Sequence, residues 1–130
     1  MEERVPDGEN VPDPPFTSRQ TARIERVLAT ANVSTGLTFN IYFGELDEPV
    51  RQHAERLHRG LPDPARSVLF AVSPNQRLLE IVTGEQARRR LSDRTCEIVA
   101  LSMAAAFTGG DLAGGVIAGI SQLADHAGTG

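Results

Sequence analysis

Leu37-Thr-Phe-Asn-Ile-Tyr-Phe43 decides how this chain folds. Leu37, Phe39, Ile41 and Phe43 alternate with Thr38, Asn40 and Tyr42, the two-residue period of a strand with one face in a core. Downstream, Val68-Leu-Phe-Ala-Val72 is a continuous apolar run, as a central strand covered on both faces requires. Between them Val50, Ala54, Leu57 and Leu61 trace the stripe of a helix, with Asp47 expected as its N-cap, Pro49 in its first turn and Gly60 at its end. Strand, helix, strand predicts a parallel pair joined by a crossover. After the turn Pro74-Asn75-Gln76, residues Arg77–Thr83 read as a hairpin partner, so the sheet is mixed.

Helices complete the picture on both sides. Thr17-Ser-Arg-Gln20 has capping-box spacing, and Ile24, Val27, Leu28 and Ala31 follow on one helical face up to Gly36. Ser92 is placed to cap a helix whose core face is Cys96, Val99, Ala100, Met103, Ala104 and Phe107. Thr108-Gly-Gly breaks it. Asp111 then caps a last helix with Leu112, Val116, Ile120 and Leu123 inward, and Gly114, Gly115 and Gly119 predict close packing against a neighbouring helix or the sheet. The fold class expected is α/β, a mixed, mostly parallel sheet sandwiched between helices.

Composition bounds the rest. With 130 residues, 40% hydrophobic and 23% charged, one domain is expected. Residues 1–15 are acidic and carry Pro6, Pro12, Pro14 and Pro15; a disordered leader is expected there, an α/β domain over 16–126, and a flexible tail over 127–130. The leader holds five carboxylates against Arg4 and carries the whole net charge of −4, leaving a balanced body that does not suit a phosphate backbone. No nucleic-acid role is expected. Met1-Glu-Glu-Arg4 lacks the pattern of a secretory signal, and Asp111 interrupts the apolar stretch 98–120, where a spanning helix would incur about 3 kcal/mol for the charge. The lone Cys96 excludes an intrachain disulfide and implies no oxidising compartment. A cytoplasmic chain without a membrane span is the expectation.

Four segments in order give the chain a family likeness. Ser34-Thr-Gly-Leu-Thr-Phe-Asn-Ile-Tyr-Phe43, Val68-Leu-Phe-Ala-Val-Ser-Pro74, Leu78–Gly84 and Phe107-Thr-Gly-Gly-Asp-Leu-Ala-Gly-Gly-Val-Ile-Ala-Gly119 together resemble the TPM domain, in a divergent branch of uncharacterised actinobacterial proteins. The resemblance spans about Thr17 to His126 and implies a mixed sheet between helices. Some members of that family are described as acid phosphatases or calcium binders, others as accessory domains in membrane-protein maintenance or receptor regulation. This chain departs from the family pattern where acidic residues are usual. Pro14-Pro-Phe-Thr17 precedes the first helix and the turn is Ser73-Pro-Asn-Gln-Arg77, while Thr83-Gly-Glu85 stands where the family has a glycine-rich G-Y-G after the hairpin. Those losses weigh against enzyme chemistry.

Candidate sites follow from chemistry and placement. The carboxyl ends of parallel strands favour ligands, so Glu45, Asp47 and Asn75, with Asp111 from the last helix, are the residues that would hold a hard cation, calcium or magnesium. Each also has a structural role in prospect: solvated carboxylate, helix cap, turn former, helix cap. Arg77, Arg88, Arg89, Arg90 and Arg94 form the densest positive set, a docking surface for a protein partner or merely a solvated face. His53 and His58 lie five apart, off the i, i+4 spacing of helical metal ligands. Cys96 sits on an apolar face as a small hydrophobe. No nucleophile elbow, Walker, zinc-finger or EF-hand pattern is present in the sequence. The reading expected is a non-catalytic binding or accessory module without a cofactor. Its alternative is a weak divalent-metal-dependent acid phosphatase using Glu45, Asp47 and Asp111.

Overall fold

Five helices and three strands follow one another in the computed structural model, which describes residues 16–129. In chain order they are α1 (Ser18–Thr35), β1 (Thr38–Phe43), α2 (Val50–Arg59), β2 (Ser67–Ser73), β3 (Leu78–Thr83), α3 (Glu85–Arg88), α4 (Asp93–Thr108) and α5 (Leu112–Ala127), with a 3-10 turn over Pro64–Arg66. The leader expected over 1–15 lies outside the described residues.

The sheet runs β1-β2-β3. β1 pairs parallel to β2 with Phe39 beside Val68 and Ile41 beside Phe70; β2 pairs antiparallel to β3 with Phe70 opposite Ile81. The sheet is therefore mixed as expected, with one parallel and one antiparallel ladder rather than mostly parallel pairing. Every residue of β2 is buried, because its side chains alternate between two cores. Val68, Phe70 and Val72 meet Leu37, Phe39 and Ile81 beneath α1, α4 and α5, whereas Leu69 and Ala71 meet Leu46, Ala54 and Val82 beneath α2. That two-sided burial is what the unbroken apolar run in the sequence encodes.

Local capping works where the sequence places it, with one exception. Thr17 Oγ1 accepts from the Gln20 amide at 3.1 Å and Gln20 Oε1 accepts from the Thr17 amide at 3.0 Å, and α1 ends at Gly36 with φ 78°. Ser92 caps α4 through the Thr95 amide, and Asp111 Oδ1 accepts from the Gly114 amide at 2.9 Å to cap α5. Asp47, however, does not cap α2. The N-cap is Pro49, which has no side-chain acceptor, and it is His53 that reaches back, its Nδ1 accepting from the Asp47 amide at 2.8 Å. Pro49, extended at ψ 127°, is thus the cap position itself rather than a first-turn residue, and the helix starts two residues later than a cap at Asp47 predicts.

Close packing of α4 on α5 accounts for two of the α5 glycines. A Cβ on Gly115 would lie 2.7 Å from Phe107 Cε1, and one on Gly119 would overlap Met103 Sδ. His58 is 6% exposed, and its Nε2 donates to the Ser67 carbonyl at 2.9 Å, an acceptor that fixes the proton on that nitrogen. Arg90 closes the far end of the molecule. Its guanidinium donates to the Thr35 carbonyl at 2.7 Å, the Ala127 carbonyl at 3.1 Å and the Gly128 carbonyl at 2.6 Å, satisfying the C-terminal ends of α1 and α5 together.

A candidate binding groove beside strand β3

β3 is an edge strand, and its outer side faces α4 across an open groove of about 1040 Å³. Leu79 and Ile81 form one wall; Cys96, Ala100, Ala104 and Phe107 form the other. Polar groups stand at the two ends. Arg51, Glu80, Asp93 and Glu97 lie at the end near the start of α4, and Arg77 and Thr108 lie at the end near its finish. An apolar trough with charged ends is the usual form of a binding site.

Two arginines guard the sheet edge. Ile81 and Thr83 are two residues apart, so their carbonyls point off the sheet in the same direction. Arg51 Nη1 donates to Ile81 O at 2.9 Å and Arg88 Nη2 to Thr83 O at 2.8 Å. Arg51 also pairs with Glu80 at 3.0 Å and Glu55 at 3.1 Å. Burial works against its charge, but the hydrogen bonds and charges of Glu80 and Glu55 outweigh it and raise its pKa. The covered carbonyls keep another strand from adding along the second half of β3. Leu79, at the first half, belongs to the same outward set and is left to the groove.

Cys96 borders the groove at 7% exposure. Burial first, then the Asp93 carboxylate, pushes its thiol up from 9.0 to about 11, with Arg51 pulling the other way. Thiolate is the reactive form, so alkylation by iodoacetamide at pH 8 is expected to run roughly 100-fold slower than for a free cysteine, with the rate still climbing above pH 10. A thiol held protonated stabilises the fold fully below its unfolded pKa, and that contribution drains away between about pH 9 and about pH 11. A rate plateau near pH 8.5 would contradict this environment.

The residues singled out in the sequence are distributed as follows. The loops after β1 and β2 do meet at the carboxyl edge of the sheet, and Gln76 joins them. Its Oε1 accepts from the Leu46 amide at 2.7 Å and from Ser73 Oγ at 2.5 Å, while its Nε2 donates to the Leu46 carbonyl at 3.0 Å. Glu45, Asp47 and Asn75 flank this clasp with exposed side chains, and Asp111 is engaged as a cap on α5. Among the described residues no three His, Cys, Asp or Glu side chains gather closely enough to hold a metal ion. The arginines divide too. Arg77, in the turn with φ 58°, lines the groove; Arg88 caps the β3 edge; Arg90 clasps helix ends; Arg89 and Arg94 are exposed. Arg51 and Leu101 line the groove, and Gln76 clasps the loops at the carboxyl edge of the sheet, without any sequence motif to mark them.

A short mixed sheet between helices, with an open groove beside the hairpin strand, defines a small α/β fold. Solved structures share it. The chain is similar to the BA42 protein of the psychrophilic bacterium Bizionia argentinensis, with a TM-score of 0.77 at 16% identity over 91% of this chain and 85% of that one. It is also similar to the N-terminal domain of the cg2496 protein of Corynebacterium glutamicum, with a TM-score of 0.65 at 18% identity over 85% and 73%. A third likeness is the N-terminal domain of a P. gingivalis protein, with a TM-score of 0.68 at 16% identity over 85% and 75%. The chain belongs to the family called Domain of unknown function (DUF5130), whose model matches residues 3–124. Among curated proteins it is 30% identical over 109 residues to the uncharacterized proteins Rv2468c and MT2543 of Mycobacterium tuberculosis. That match covers 84% of this chain and spans 65% of the relatives' length. Among the described residues, no helix is long and apolar enough to cross a membrane.

Proposed function

We propose that this chain is a non-catalytic, protein-binding accessory module on a TPM-like frame, working in the cytoplasm, and that the β3–α4 groove is its docking surface. The observation that carries the reading is the groove itself: an apolar trough of about 1040 Å³ with Arg77 at one end, and at the other Asp93, Glu97 and the Arg51–Glu80 pair. The structural roles of Gln76 and Asp111 support the same reading, since they occupy the positions where a cation crevice would otherwise form. The order of the four TPM-like segments and relatives from a mycobacterium support the kinship with an actinobacterial branch. The lone cysteine supports the compartment.

Panning a displayed peptide library on the full chain is expected to select binders that are lost with Arg77→Glu. Titrating calcium or magnesium to about 10 mM into labelled chain is expected to leave the Glu45, Asp47 and Asp111 amides unmoved. Saturable shifts at those amides, joined by turnover of p-nitrophenyl phosphate, would overturn the module in favour of a metal-dependent phosphatase.

A further inference from the structure

On α4, no residue from Ile98 to Thr108 is charged, and its solvent side carries Ile98 at 55% exposure and Leu101 at 72%. The exposed positions that follow them on α4 are small: Ser102, Ala104, Ala105 and Thr108. An exposed face of six uncharged residues is a poor match to water and a good match to another helix. Alanines permit close approach, and a central leucine supplies the knob. Leu101 lies at the middle of α4 and on the rim of the β3–α4 groove.

Charge along the groove selects the occupant. Arg51 is held on Glu80 and Ile81, and its charge acts on Cys96, so the second half of β3 lies beside the start of α4. Asp93 and Glu97 therefore mark one end of the groove and Arg77 the other, with the apolar run between them. A rim that is negative at one end, positive at the other and apolar in the centre complements a copy of itself turned through 180°. A parallel arrangement would set Arg77 against Arg77. Antiparallel helices also set opposite ends of their dipoles together.

We propose that the partner of this groove is a second copy of the chain, forming a two-fold dimer in which α4 packs antiparallel on α4. The axis passes close to Leu101, each Leu101 seats in the groove of the other copy, and Arg77 of one copy faces Asp93 and Glu97 of the other. This deepens the binding-module reading and rests on it.

Sedimentation equilibrium of the full chain from about 5 μM to about 500 μM tests it by mass action. A reversible monomer–dimer equilibrium within that range is expected. Leu101→Glu is expected to weaken it more than about tenfold, since a charge would be buried at the axis. Ile98→Lys serves as the second apolar-face variant, and far-UV circular dichroism checks that both fold. Arg77→Glu and Glu97→Arg each weaken the dimer by about fivefold, and their combination regains most of the loss. Monomer mass throughout, a dimer indifferent to Leu101→Glu and Ile98→Lys, or a double variant no tighter than either single one each overturns the proposal. A monomer that still captures panned peptides loses the second copy but keeps the binding module. Metal shifts with phosphate ester turnover remove the module itself.

Discussion

Gly84→Ala is expected to lower the unfolding free energy by about 3 kcal/mol, the upper range for forcing an extra carbon into a packed site. Gly84 follows β3 directly, and its amide donates to the Ser67 carbonyl at 2.9 Å. A Cβ there would overlap the Pro64 carbonyl oxygen and stand 2.6 Å from that of Ala65. Both are backbone atoms of the 3-10 turn, which Ser67 Oγ ties in place by donating to Asp63 O at 2.6 Å. Rotamers cannot relieve a backbone clash; the turn that feeds β2 must move. Two other glycines calibrate the effect. At Gly119 the added carbon meets the flexible Met103 side chain, so Gly119→Ala should cost less, about 1 kcal/mol. At Gly60 the nearest atom is 3.5 Å away and φ is −80°, so Gly60→Ala should be neutral or slightly stabilising, by about 0.5 kcal/mol. Urea unfolding of the three variants gives the order. Equal stabilities for Gly84→Ala and Gly60→Ala would refute the close approach of turn and strand.

Arg90→Ala is expected to destabilise the fold by about 2–4 kcal/mol, since charge-assisted hydrogen bonds to three helix-end carbonyls vanish at once. Thr35 lies 55 residues before Arg90, and Ala127 and Gly128 lie 37 and 38 after it, so one guanidinium ties three distant parts of the chain. Lysine supplies a charge but not the planar fork that reaches several acceptors, so Arg90→Lys should recover less than half of the loss. Arg89, next in sequence and exposed, provides the control: Arg89→Ala should stay within about 0.5 kcal/mol of the parent. Faster hydrogen exchange confined to the last turns of α1 and α5 would accompany the Arg90 loss. Matching stabilities for Arg89→Ala and Arg90→Ala would show that the clasp contributes nothing.

These two residues also show why some of the molecule was legible in sequence and some was not. Thr17, Ser92 and Asp111 were readable as caps because each acts on an amide three residues away. Asp47 looked equally suitable, yet the distance from a cap to its helix start is set by backbone geometry, and Pro49 moved that start. The arginine triplet illustrates the opposite limit. Arg88, Arg89 and Arg90 form one run in sequence, but they sit on and just after the short α3, where each residue turns to a different side. One binds the β3 edge, one is exposed, and one binds two helix ends. The carboxylates expected around a cation were reasonable from topology, since the two strand ends do adjoin. What fills that junction is Gln76, whose partner Leu46 is 30 residues distant.

Periodicity and punctuation alone determined the strands, the four longer helices, the mixed pairing and the two-sided burial of Val68–Val72, because each depends on which side of one element meets apolar surroundings. Tertiary structure alone decided the groove, the guarded edge of β3 and the clasp at Arg90. Those features arise where elements far apart in the chain leave a gap or share an atom, and no local spacing encodes the angle at which α4 lies across the sheet.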